Sequence, residues 1–183
     1  MIRTKIALAV TGAMALAIGT AAVAKNPMVG GAAMYPTKNI VQNAVNSKAH
    51  TTLVAAVKAA GLVDTLSGRG PFTVFAPTNA AFEKLPAGTV ESLVKPENKD
   101  QLTKILTYHV VPGRLTASMI GAKIKAGHGK AQLKTVEGES LTARMKGPAL
   151  ILTDAKGHAS RVTIANVMQS NGVIHVVDAV LIP

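Results

Sequence analysis

The side chains best placed to do chemistry at neutral pH are five histidines, at positions 50, 109, 128, 158 and 175. Histidine is the side chain whose charge changes between pH 5 and 8, and it is a common metal ligand. No two of the five stand at i, i+2 or i, i+4, so the chain holds no local pair with metal-ligand spacing. The nine Asp and Glu residues are scattered without close pairing, which leaves no carboxylate dyad for acid–base work. Cysteine is absent, so thiolate catalysis, cysteine-based zinc sites and disulfides are excluded. A G-x-S-x-G elbow, a phosphate loop, an H-E-x-x-H helix and an EF-hand loop are all missing. "GHGKAQ" (127–132) begins like a dinucleotide fingerprint but lacks the third glycine and a preceding strand, and reads as a glycine-rich loop. The expectation is therefore no enzyme, no catalytic residue, no cofactor and no metal site.

One stretch stands apart, "TYHVVPG" (107–113), where Tyr108 and His109 precede two valines and a proline-glycine turn. His109 and His175 each lie inside an apolar, strand-like run, so each ring is expected to be buried. A buried imidazole stays neutral, donating from one nitrogen and accepting at the other. That makes both structural residues. A strand through Tyr108–Val111 would point Tyr108 and Val110 one way and His109 and Val111 the other. His128 and His158 fall in glycine-containing loops and should be solvated, and His50, just ahead of an apolar helical run, is placed as a helix cap.

The elements that must carry these residues change character along the chain. Residues 37–66 show helical spacing: Ile40, Val41, Ala44 and Val45, then Leu53, Val54 and Val57, with Gly61 as a stop. Phe72–Phe75 reads as a buried strand, broken by Pro77, with Thr78 or Asn79 capping a short helix. Leu102, Ile105 and Leu106 form the stripe of another helix. After Gly113, where "LTASMIGA" holds one helical turn, the chain breaks into short strand-like runs joined at "EGES" (137–140) and "DAKG" (154–157). Helices first and strands later, without β-α alternation, predict an α+β fold.

At the N-terminus, Arg3 and Lys5 precede an apolar run from Ile6 to Ile18, and Ala22-Val23-Ala24 is a small-x-small site. This is the pattern of a signal peptide over 1–24, cleaved after Ala24, and it predicts a secreted or periplasmic protein with no transmembrane anchor left. Residues 25–36 then read as a flexible linker, and 37–183 as one domain. Losing Arg3 and Lys5 lowers the net charge from +11 to +9, still strongly basic. Nine basic against three acidic residues give the segment 113–161 a net +6. Lys123, Lys125, Lys130 and Lys134 are its densest group and the candidate contact for an anionic polymer or lipid head group. Export argues against DNA as partner, and aromatic content of 3% with no Trp argues against stacking platforms.

Three segments, "FTVFAPTNAAF" (72–82), "TYHVVPG" (107–113) and "NGVIHVVDAVLIP" (171–183), resemble the motifs of the fasciclin domain in order and spacing. The resemblance covers about 39–183. It implies an α+β fold, a β-sandwich opened into a wedge with several short helices packed around it. It also implies that Phe75, Pro77, Thr78, Asn79, Tyr108, His109, Asn171, Gly172 and His175 belong to the structural motif. The family's members in adhesion, matrix and symbiosis imply a binding module for a cell-surface or matrix component, with the flank of Tyr108–His109 as a contact. The alternative is an extracytoplasmic carrier of a small ligand or metal, using an apolar cleft. One departure is Asn166, where many members carry an acid; a hydrogen-bonding role survives that change, a role for charge does not.

Overall fold

The computed structural model describes residues 26–183, so the signal-peptide expectation over 1–24 lies outside the described residues. Where a linker was expected, the chain forms a small hairpin of β1 (Met28–Val29) and β2 (Ala32–Ala33). Gly30 and Gly31 make its two-residue turn, both at positive φ. Gly30 also has no room for a side chain, because a Cβ there would fall on Ser47 and Ala49. Val29 and Met34 are buried in the main apolar cluster, and the buried Asn43 amide brackets Tyr35, accepting from its N–H at 3.1 Å and donating to its carbonyl at 2.8 Å. Two buried apolar side chains and a paired backbone fix this segment to the domain.

Helices follow: α1 (Ile40–Ala44), α2 (Thr51–Ala60) and α3 (Val63–Ser67). Asn39 caps α1 in a reciprocal box with Gln42, and Gly61 closes α2 in the left-handed conformation. Strand β3 (Phe72–Pro77) leads into α4 (Asn79–Glu83), capped by Thr78, whose hydroxyl accepts from the Ala81 N–H. Then come α5 (Thr89–Leu93), α6 (Lys99–Tyr108) and β4 (Val110–Pro112). The single turn expected after Gly113 is a full helix, α7 (Ala117–Ala126), and β5 (Ala131–Lys134), β6 (Ser140–Lys146), β7 (Ala149–Thr153), β8 (Ala159–Gln169) and β9 (Gly172–Val177) complete the chain.

Seven strands form one mixed sheet in the order β4-β3-β9-β8-β7-β6-β5. Only β3 and β9 run parallel; all other neighbours are antiparallel. Every residue of β9 is buried, which explains its unbroken apolar sequence. The sheet curls until its outermost strands nearly meet: the Val136 N–H, just past β5, donates to the Val110 carbonyl of β4 at 2.7 Å. The result is an α+β wedge with two apolar clusters. One packs α1–α6 against β3 and β9; the other packs α7 against β5–β7, with Ile120 and Ile124 meeting Leu133, Leu141, Ala143 and Leu152.

Candidate functional site

Tyr108 and His109 sit where the two clusters join. The strand expected through Tyr108–Val111 begins only at Val110: Tyr108 is the last residue of α6 and His109 its C-cap. The His109 side chain turns back along its own helix, and Nδ1–H donates to the Ile105 carbonyl four residues earlier at 2.8 Å. Its Nε2 accepts from the Leu181 N–H at 3.0 Å. Helix backbone on one side and the C-terminal tail on the other fix the neutral tautomer. Complete burial therefore dominates, and the ring's pKa is lowered to about 4 despite the Ile105 hydrogen bond and the Asp154 charge.

Tyr108 leaves the same helix end toward the other cluster. Its hydroxyl accepts from the Ala155 N–H at 3.1 Å and lies 3.4 Å from the Ser140 carbonyl, tying α6 to the strand layer. Burial raises its pKa, more than the Ala155 hydrogen bond lowers it, with the Asp154, Glu139 and Glu137 charges adding to the rise. The turn it touches is built on Asp154, whose carboxylate accepts from the N–H groups of Lys156, His158 and Ile182 and from His158 Nδ1. Burial would raise the pKa of Asp154, but these hydrogen bonds outweigh it and hold the carboxyl below its ordinary value. The two side chains divide their contacts: His109 joins α6 to the C-terminal tail, and Tyr108 joins it to the strand layer.

The other motif residues are also spent on the frame. His175 donates from Nε2 to the Leu115 carbonyl at 2.8 Å and stacks on Phe75, ring centroids 5.6 Å apart; burial lowers its pKa. Pro77 ends β3 opposite Val177. Asn79 bridges α4 to the start of α2, accepting from Thr52 N–H and donating to the Lys48 carbonyl and Thr51 hydroxyl. Asn171 accepts from Ile40 N–H and donates to the Leu66 and Gly68 carbonyls, and a Cβ at Gly172 would strike the Phe72 carbonyl. Asn166 keeps a hydrogen-bonding role: Oδ1 accepts from the Ala117 N–H at the start of α7. His50 occupies the N-cap position of α2, but its side chain does not cap the helix. It is buried and makes no cap hydrogen bond; Nδ1 pairs with the Ser47 hydroxyl at 2.9 Å instead.

No three His, Asp or Glu side chains converge on a possible metal position among the described residues. The apolar cavity beneath α1 and α2, lined by Val41, Val57, Leu66, Val74, His109 and Ile174 among others, measures about 40 Å³. Small-ligand sites run to roughly 300–1,000 Å³, so this space is a packing gap and not a cargo pocket.

The four lysines singled out from sequence are exposed but divided. Lys123 and Lys125 lie on α7 and Lys130 in the turn after it. On β5, Ala131 and Leu133 face α7, so alternation sends Lys134 through to the outer face of the sheet. There it joins other cations of the same +6 segment. Register aligns Arg144, Ile151 and Arg161 in one row across β6, β7 and β8, with Lys146 on the same face of β6. Threonines 142 and 153 occupy the adjoining row. The ion pairs among the described residues are Lys104–Glu137 and His158–Asp154, and none of these four cations takes part.

A curled mixed sheet flanked by short helices, with most of its buried polar side chains bonded to backbone, defines a wedge-shaped α+β scaffold domain. The chain belongs to the fasciclin family: the family model described as Fasciclin domain matches residues 48–183. Protein sll1483 of Synechocystis sp. is 49% identical over 183 residues, covering 96% of this chain and 93% of its own. Immunogenic protein MPB70 of Mycobacterium bovis is 34% identical, covering 98% and 94%. A FAS1 domain pair from the insect cell adhesion molecule Fasciclin I superposes with a TM-score of 0.69 at 19% identity, covering 80% of this chain and 51% of that one, which supports the fold.

Proposed function

We propose that this chain is an exported binding module of adhesion type, cleaved after Ala24, that holds an anionic polymer of the cell envelope or matrix against the outer face of β5–β8. Membership of the fasciclin family supports the adhesion class, in keeping with the cell adhesion molecule whose domains share the fold. The observation that carries the partner is the unpaired basic face of Lys134, Arg144, Lys146 and Arg161. Neighbouring strands lie about 4.8 Å apart, so cations on alternate strands repeat at roughly 10 Å, a spacing suited to charges along an extended polymer. The face offers threonines, two alanines and one partly buried isoleucine, little to insert into a bilayer. Among the described residues no helix is long and apolar enough to cross a membrane.

The test is retention on a heparin or polyuronate column across a salt series. Binding should weaken steeply as the Debye length falls from about 10 Å at 0.1 M to about 3 Å at 1 M. Substituting Lys134, Arg144, Lys146 and Arg161 with Gln should abolish retention, while Lys123, Lys125 and Lys130 changed to Gln should lower it less. Equal retention of the wild type and the sheet-face variant would remove the face from consideration. Capture by anionic vesicles without retention on either column would make the partner a lipid head group instead.

A further inference from the structure

At the end of the sheet where β3 and β9 begin lies an open concavity of about 560 Å³. Asn39, Gln42, Ser67, Arg69, Arg114 and Ser170 supply its polar walls, and no Asp or Glu lines it. Arg69 and Arg114 are exposed, and neither belongs to an ion pair among the described residues. Arg114 is already oriented. Its Nη2 donates to the Gln169 and Ser170 carbonyls at 3.1 Å each, while Nη1 and Nε keep their donors. Asn39 and Gln42 use their side-chain oxygens on each other's backbone N–H in the α1 cap, so both amide NH₂ groups stay available. The walls are fixed by Asn171, which joins α1 and the 66–68 segment to the β8–β9 turn, and by Gly70, where a Cβ would fall on the Asn171 carbonyl oxygen.

A rigid hollow with two guanidinium groups, two amide donors, two hydroxyls and no carboxylate is built for an oxyanion carried on a polar body. Guanidinium forks match carboxylate and phosphate bidentately, and amides and hydroxyls suit sugar hydroxyls. Its volume falls in the range of small-molecule sites and exceeds that of a bare ion. We infer that this concavity binds a single acidic sugar unit, its carboxylate or phosphate held between Arg69 and Arg114. The site is separate from the sheet face: that face would hold a polymer by distributed charge, whereas this one would recognise one unit by shape and hydrogen bonding.

The experiment is amide NMR titration of the protein with glucuronate, with glucose 6-phosphate, and with glucose as the neutral control. At least one of the two acids should give saturable shifts at Ser67–Gly70 and Ser170–Asn171, and glucose should not. Response to one acid alone identifies carboxylate or phosphate as the group recognised. Arg69→Gln, at an exposed position that bears no structural hydrogen bond, should weaken binding about tenfold, as loss of a charge-assisted contact does. The variant lacking the four sheet-face cations should bind the acid as the wild type does, which separates this site from the polymer surface. Absence of saturable shifts with both acids, equal response to glucose, or undiminished binding by Arg69→Gln would overturn the assignment.

Discussion

His109 and His50 are both buried imidazoles beside the same apolar cluster, yet they are held differently. His109 has both nitrogens engaged, and both partners are main-chain groups, the Ile105 carbonyl and the Leu181 N–H. His50 has one partner, the Ser47 side chain; its Nε2 has no hydrogen-bond partner among the described residues. The distinction decides what each residue is worth. A backbone group cannot be deleted along with its partner, so removing His109 strands two buried polar groups. A side-chain partner can be deleted, so the Ser47–His50 pair can be replaced as a unit.

The largest effect should come from His109→Ala, which leaves the Ile105 carbonyl and Leu181 N–H without partners and opens a hole at the junction of the clusters. A loss of about 3 kcal/mol is expected from urea unfolding at neutral pH. A loss under about 1 kcal/mol would mean that water or a shifted tail replaces the ring, and the contrast with His50 would collapse.

The same burial sets an acid limit. The folded pKa of His109, about 4, lies below its ordinary 6.5, so between those values the unfolded chain takes up the proton and the folded one resists. Stability is then greatest above about pH 6.5 and falls as pH drops toward 4. His109 alone accounts for about 3 kcal/mol over that window, at 1.36 kcal/mol per pH unit. Burial lowers His50 and His175 as well, with the same sign. Asp154 acts lower, its contribution being lost as pH falls through a folded value below 3.8. Urea midpoints between about pH 7.5 and 4.5 should show the slope in the wild type and a shallower one in His109→Ala. Parallel profiles would mean that His109 does not carry the window.

Replacing the other node as a unit should cost little. Ser47→Ala with His50→Leu removes donor, acceptor and the unpartnered nitrogen together, and the change should stay within about 1 kcal/mol of either sign. His50→Leu alone should be worse than the double variant, because it strands the buried Ser47 hydroxyl. If the double variant is the less stable of the two, the Ser47 hydroxyl has a further partner that outlasts the ring; a loss well above about 1 kcal/mol in the double variant would mean that His50 Nε2 has a partner.

The frame around these nodes was legible where apolar runs are long. β3 and β9 announced themselves as unbroken buried strands, and the α6 stripe was plain. The boundary at Tyr108–His109 was not, because the apolar Val110-Val111 that follows extends the run across a helix end; only the hydrogen bond of His109 back to Ile105 marks it. The β1–β2 hairpin was missed because two-residue strands show no alternation, although Gly30-Gly31 between apolar residues is a hairpin turn signal. The basic face needed register: Arg144 and Arg161 become neighbours across Ile151 only once three strands are paired. Arg69 and Arg114 lie in separate loops that share a wall only in the fold.

The smallest effect tests whether charge has been left out of a third node. Asn166 sits at φ +59, a conformation Asn tolerates better than most residues, and its Oδ1 accepts from Ala117 N–H at 2.8 Å where α7 begins. Its own N–H lies 3.4 Å from His175 Nδ1. Asn166→Asp keeps the acceptor and adds a negative charge at the N-terminal end of the ten-residue helix α7. That charge should stabilise by about 0.3–1 kcal/mol at neutral pH. The helix end should depress the folded pKa of the new carboxyl, so the gain is present above its unfolded pKa and disappears as pH falls through the folded one. The carboxylate would also favour protonation of His175, easing the acid window that burial imposes. Paired urea titrations at about pH 7 and pH 3 read both effects. A variant no more stable than the wild type at neutral pH would mean that the site needs a hydrogen-bond acceptor and has no use for a charge.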